Sequence, residues 1–300
     1  MGIESLLPYI RIDKNYKGRL MPKKTTYSSS RVSTFASCKL KYKLQYKDYL
    51  YADEKFKAIE TRKGSAFHEF AEHYPKNIEG RKLEDVIKEY EVQFDIGDKY
   101  PLTKPVAKFI EMYEKFILAL KGKHHVEYTF KFDVLGHLFT GRLDDYFELE
   151  PGKSTVVPPE TEYIVFDYKT GKNIKVSTYK DQMLLYVHAI GQDKGLTDQE
   201  LVKKVKVFLF YPFAAGSWDK VLQEVSFNEI DLEDVRERKA GLIEEIESNE
   251  WKPDPTMSFL CNFCPFKGFQ EHCELTWKNR LYPTRGIKIK KRDWSKPRRY

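Results

Sequence analysis

The stretch from Tyr163 to Tyr186 constrains this chain most: YIVFDYKTGKN, then YKDQMLLY after a short connection. It begins as a buried-strand pattern and ends as a helix that carries polar groups within an apolar run. Side chains on a strand alternate between faces, so Asp167 and Lys169 emerge together while Ile164, Phe166 and Tyr168 point the other way. One face is available to a core and the other to chemistry. From Asp181 the run DQMLLYVHAI is apolar almost all round, as expected of a helix laid over a sheet. Gln182 and Tyr186 share one face of it through i, i+4 spacing.

The preceding segments read as scaffold that delivers single polar residues. SSSRVSTFASCKLKYKLQY, from Ser28, sets Val32, Phe35, Leu40 and Leu44 near helical spacing behind capping serines, with Cys38 on the predicted helix. KGSAFHEFAEHY reads as a second helix; Gly64 and Ala66 would let it approach a sheet closely, and His68 sits among its packing residues. Two further helices are expected from Leu83 to Phe94 and from Pro105 to Lys121. The period then changes to two: Val126, Tyr128, Phe130, Phe132 and Val134 mark the buried side of a strand, and Glu127, Thr129, Lys131 and Asp133 its outer side. A turn near Gly136 leads into HLFTGRLDDYFELE, where Asp144 shares a face with Arg142 and Tyr146 while Asp145 takes the opposite one. A hairpin followed by the strand at Tyr163 brings Asp144 and Asp167 within reach of one metal. LVKKVKVFLFYPF reads as a fourth strand at a sheet edge, guarded by its lysines, and Leu232 to Ile246 as a last long helix.

Charge and cysteine placement add two expectations. The net charge is +7, and basic residues gather at both ends; between Arg285 and Tyr300 eight of them face one acid. That pattern suits a polyanionic partner or a solubilising tail. No apolar run approaches the roughly 20 residues that cross a bilayer, and no signal-peptide core precedes the first helix, so a soluble, cytoplasmic protein without a membrane partner is expected. Three of the four cysteines are spaced Cys261-x2-Cys264-x8-Cys273, a thiolate cluster one ligand short of a metal site. Cys38 is the one cysteine left to complete it, which would tie the first helix to the C-terminal segment. The expected organisation is an irregular basic arm over 1–27, a single domain over 28–275 and a basic tail over 276–300.

Two carboxylates and a lysine projecting from neighbouring strands suit hydrolysis of a phosphodiester. Asp144 and Asp167 offer hard oxygen ligands to Mg2+ or Mn2+, and His68 adds a nitrogen donor that favours Mn2+. Such a metal acidifies its bound water and neutralises charge growing on the phosphate. Lys169 would orient that nucleophile or stabilise the developing oxyanion. Gln182 would give hydrogen-bonding support near the scissile strand, and Tyr186 a phosphate contact or stacking surface.

Taken in order, SxSR at Ser28 to Arg31, Cys38, GSAFHE at Gly64 to Glu69, GRLD at Gly141 to Asp144, DYKTGK at Asp167 to Lys172, YxxQxxxY from Tyr179 to Tyr186 and the terminal cysteines resemble the PD-(D/E)XK nucleases. The likeness is to their RecB-type branch, which includes the iron-sulfur nuclease of CRISPR adaptation and the AddB-like repair nucleases. It implies an α/β, restriction-endonuclease-like core, a central mixed sheet flanked by helices, with the N- and C-terminal segments joined at a metal cluster. It also implies His68, Asp144, Asp167 and Lys169 as the catalytic set and the carbonyl of Tyr168 as a further metal ligand. Cys38, Cys261, Cys264 and Cys273 would match the ligands of a 4Fe-4S cluster, with zinc as the alternative occupant. The implied activity is exonucleolytic hydrolysis of single-stranded DNA or DNA ends, in repair, recombination, replication or phage DNA processing. The 300 residues contain no GxxxxGK[ST] loop, so unwinding would fall to a helicase or recombination partner. Two other readings stay open: a non-catalytic DNA-binding or assembly subunit that keeps the nuclease fold as scaffold, and a nuclease directed at RNA.

Overall fold

The computed structural model describes residues 25–52, 59–97, 100–254, 256, 261, 264, 266 and 289–291. The N-terminal part supplies α1 (Ser29–Ser37), α2 (Lys39–Tyr42), β1 (Leu50–Ala52), α3 (Ile59–His73), α4 (Leu83–Gln93) and α5 (Thr103–Lys115). The sheet and its covering helices follow: β2 (Gly122–Val134), β3 (His137–Leu149), β4 (Tyr163–Tyr168), α6 (Val176–Lys194), α7 (Asp198–Lys204), β5 (Val205–Phe210), α8 (Trp218–Val221), β6 (Leu222–Glu224), α9 (Glu229–Ser248) and β7 (Ile289–Lys291). Five strands lie in the order β2-β3-β4-β5-β6. All neighbours are antiparallel except β4 and β5, which are parallel and joined by α6 and α7 as the crossover. The architecture is therefore α/β with a central mixed sheet flanked by helices.

Alternation decides what each face of the sheet meets. Phe166 and Tyr168 point toward α3 and α5: the Tyr168 ring packs edge-on against Phe67 and Phe109, and Phe166 against Phe116. The opposite face receives α6, whose Met183, Leu184, Leu185, Val187, Ala189 and Ile190 are all buried. At about 1.5–3 kcal/mol for each large apolar side chain, this helix is one of the main contributors to the core. Its helical turns begin at Val176, earlier than the apolar run at Asp181 suggests. Among the described residues no helix is long and apolar enough to cross a membrane.

Four expectations need correction. Cys38 is not inside a helix: it is extended, with φ of −163°, and breaks the segment into α1 and α2. Its Sγ accepts the Lys41 N–H at 3.4 Å and so caps the second helix. β5 is an inner strand, because β6 pairs with it on the side away from β4; Lys203 and Lys204 end α7, and the edge is the short β6, where Glu224 pairs with Lys206 at 2.8 Å. Val126 is 40% exposed although Phe130, Phe132 and Val134 on the same strand are buried. The cause is Glu127, whose φ of +52° resets the alternation. Tyr27, counted with the basic arm, is buried beside β3; its N–H donates to Leu138 and its carbonyl accepts from Thr140, each at 2.8 Å.

The first two helices meet the end of α9 and the residues that follow it. Phe35 and Tyr42 pack edge-on against Trp251, Lys39 pairs with Glu245, and the Leu40 N–H reaches the Asp254 carbonyl at 3.4 Å. β1 and β7 form a separate two-stranded antiparallel sheet.

Candidate active site

The candidate side chains come from α3, β3, the end of β4 and α6, and two glycines let those elements close in. A Cβ at Gly64 of α3 would lie 2.9 Å from Thr170 Oγ1, just beyond β4, and one at Gly141 of β3 would lie 2.4 Å from Cε1 of Tyr186 on α6. The first contact brings His68 to the sheet. The second lays Tyr186 across β3.

His68 Nδ1 donates to Asp144 Oδ1 at 3.1 Å, and the other oxygen of Asp144 accepts the Tyr168 N–H at 2.6 Å. Asp145 faces the other way and accepts the Tyr168 hydroxyl, while His124 Nε2 approaches its second oxygen at 2.6 Å. The adjacent acids thus hold Tyr168 from both faces of the sheet, one by its backbone and one by its ring. Asp167 is ion-paired with Lys169, and both side chains are nearly buried. The Lys169 ammonium also donates to Gln182 Oε1 at 3.2 Å and lies 4.2 Å from the centroid of the Tyr179 ring. Gln182 in turn donates to the Tyr186 hydroxyl at 2.9 Å. The structure therefore forms two bonded groups, His68 with Asp144 and Asp167 with Lys169, Gln182 and Tyr186, which meet where Asp144 accepts the N–H of Tyr168, the residue between Asp167 and Lys169.

Burial and crowding set the charges of this network. Burial disfavours charge on His68, but the carboxylate of Asp144, its hydrogen bond and the charges of Asp167 and Glu127 outweigh it and raise the imidazole to about 9. Burial also pushes Asp144 upward, yet the His68 charge and the hydrogen bonds from His68 and Tyr168 hold it below the usual carboxylate range. Asp167 goes the other way: burial raises it more than Lys169 lowers it, and Asp144 adds to the rise. Glu127 is raised to about 7 by burial and by Asp144, against the opposing charge of Arg142.

His68, Glu127 and Asp144 offer ligand atoms that all lie within 4.8 Å of one another, the one such group of His, Cys, Asp or Glu among the described residues. An imidazole and two carboxylates are a donor set that fits Mg2+ or Mn2+. Asp167 is not in that tight group, being engaged with Lys169, and Glu127 is a member that sequence reasoning placed on the outer side of its strand. Only its φ value brings it inward, and no residue type announces that. Cys38, Cys261 and Cys264 are partly buried, and the Cys264 N–H donates to the Cys261 carbonyl at 3.3 Å. Cys273 lies outside the described residues.

A sequence model of the PD-(D/E)XK nuclease superfamily matches residues 26–269. The chain belongs to this superfamily. No curated protein sequence matches the chain. Among solved structures, one described as a "Putative exonuclease" from Eubacterium rectale is 14% identical over 87% of this chain and 94% of its own, with a TM-score of 0.46. Another, the protein SSO0001, is 14% identical over 82% of this chain and 85% of its own, with a TM-score of 0.35. For a PD-(D/E)XK nuclease the sheet has the expected form, with Asp144 on one strand of the hairpin and Asp167-Tyr168-Lys169 at the end of the next. Membership supports a nuclease.

Proposed function

We propose that this nuclease is a divalent-metal-dependent deoxyribonuclease of the RecB-type branch, acting as an exonuclease on single-stranded DNA or DNA ends. The observation that carries this reading is the position of Lys169, a nearly buried ammonium held between Asp167, Gln182 and the Tyr179 ring. His68, Asp144, Asp167 and the carbonyl of Tyr168 would hold Mg2+ or Mn2+. Once bound, the metal supplies an acidified water and a positive centre for the phosphate. Lys169, fixed as a point charge, orients the nucleophile and meets charge that grows on the phosphoryl oxygens. Gln182 fixes the Lys169 ammonium and the Tyr186 hydroxyl together, which keeps the α6 wall in register with the scissile strand. The basic residues at the two ends of the chain suit phosphate contacts, which give affinity without sequence preference.

The organisation proposed is a basic arm, a nuclease domain to about residue 275 and a basic tail, with Cys38, Cys261, Cys264 and Cys273 binding a 4Fe-4S cluster. The bond from Leu40 to Asp254 and the contacts of Trp251 support this, since they bring the Cys38 segment to the chain leading into Cys261. A helicase or recombination partner would supply unwinding. Digestion of end-labelled single- and double-stranded DNA, beside RNA of equal length, with Mg2+ or Mn2+, tests the assignment. Metal-dependent release of short products from DNA ends is expected. Degradation of RNA alone, or none of any substrate, contradicts it.

A further inference from the structure

Glu127 is placed where an ordinary strand residue would not be. The β2–β3 ladder runs in one register from Gly122 opposite Leu149 to Val134 opposite His137, and it is interrupted only where Glu127 stands opposite Asp144. At that point the backbone of Glu127 takes a φ of +52°, a left-handed conformation that side chains other than glycine seldom adopt inside a strand. The result is a carboxylate only 14% exposed, facing another carboxylate across the hairpin. Left-handed backbone, like-charge opposition and loss of hydration each disfavour glutamate here. Arg142 pairs with Glu127, but its side chain is 56% exposed, and an ion pair of that kind stabilises too little to offset three penalties. Strain of this sort persists where function requires the side chain's position.

We infer that Glu127 is a further ligand of the divalent cation, delivered from the outer strand of the hairpin into the group formed with His68 and Asp144. His68 of α3, Glu127 of β2 and Asp144 of β3 would hold the cation, with Asp167 and the Tyr168 carbonyl of β4 beside them. A bound cation removes the conflict between the two opposed carboxylates, so the metal and the strained backbone stabilise each other. None of the motifs that carry the nuclease resemblance includes Glu127. The inference rests on the metal-dependent reading above.

Mn2+ binding to the full chain without nucleic acid, followed by calorimetry or by the loss of free Mn2+ signal in electron paramagnetic resonance, tests it in wild type, Glu127→Gln, Glu127→Gly and Asp167→Asn. Both Glu127 variants are expected to bind Mn2+ at least ~10-fold more weakly, as loss of a metal's supporting group generally does. The glycine variant adopts positive φ without strain, so its metal-free melting temperature should hold or rise, while the upward shift produced by Mn2+ shrinks. Wild-type Mn2+ affinity in both Glu127 variants, with affinity lost in Asp167→Asn, would overturn the inference and leave the metal reading standing. Absence of Mn2+ and Mg2+ binding by the wild type would overturn both.

Discussion

At the scale of single residues, the site is built from pairs of neighbours that do opposite things. Asp144 and Asp145 are consecutive on β3, yet one takes the Tyr168 N–H and the other its hydroxyl. Tyr168→Phe should leave the buried Asp145 carboxylate with His124 as its remaining partner and cost about 1–3 kcal/mol, the usual penalty for an unmet buried acceptor. Urea denaturation checks this, and an unchanged midpoint would mean that the Asp145 contact contributes nothing. The two motif glycines should differ. Gly141→Ala drives a Cβ into the Tyr186 ring and should cost about 1–3 kcal/mol, whereas the clash at Gly64 is with the rotatable hydroxyl of Thr170 and should cost less. Thermal melts of the two variants give the order. Asp167 and Lys169 were legible in the sequence because strand alternation states which side chains share a face. Glu127 was not, because alternation put it outside and nothing in a glutamate encodes a left-handed φ.

Among elements, α6 is the helix on which sheet and site both depend, and it is tied to α9 by charge. Asp181 pairs with Arg238 at 2.8 Å and with Lys239 at 3.0 Å. The hydrogen bond from Arg238, outweighing partial burial, and that from Lys239 hold the Asp181 carboxyl down to about 2, from an ordinary 3.8. A folded-state value below the unfolded one means stability that is fully present above 3.8 and is lost as the pH falls toward 2. With the aspartate a third exposed, its worth is on the order of 1 kcal/mol or less. Asp181→Asn should therefore melt lower than wild type at pH 7, and the gap should close in strong acid; a gap independent of pH would assign the effect to packing. Element types were legible from periodicity, but their ends were less so. Cys38 broke a helix because its thiol could cap the next turn, and two of the three lysines read as guards of an edge strand, Lys203 and Lys204, belonged to the end of α7.

For the whole molecule, the question is what holds the two chain ends together. Trp251, the Leu40–Asp254 bond and the β1–β7 pair set the N-terminal helices and β1 beside residues 251–254 and 289–291. The strand pairing itself was not legible, since IKK within a basic run carries no alternation to read. With the proposed cluster in place, anaerobically purified protein should be brown and contain about four irons per chain. Cys38→Ser should be colourless and melt at lower temperature, while Mn2+ binding persists in the folded fraction. Stoichiometric zinc in colourless wild-type protein would replace iron-sulfur by zinc at that site.

In the proposed function His68, Asp144, Asp167 and Lys169 form one hydrolytic centre on the β3–β4 face. Its most direct test is the rate of end-labelled DNA digestion with saturating Mn2+ by wild type, Asp167→Ala and Lys169→Ala, alongside DNA binding by the same preparations. Losses on the order of 10^3-fold or more in rate, with DNA binding retained in both variants, are predicted. Cutting at the wild-type rate by either folded variant would contradict the account.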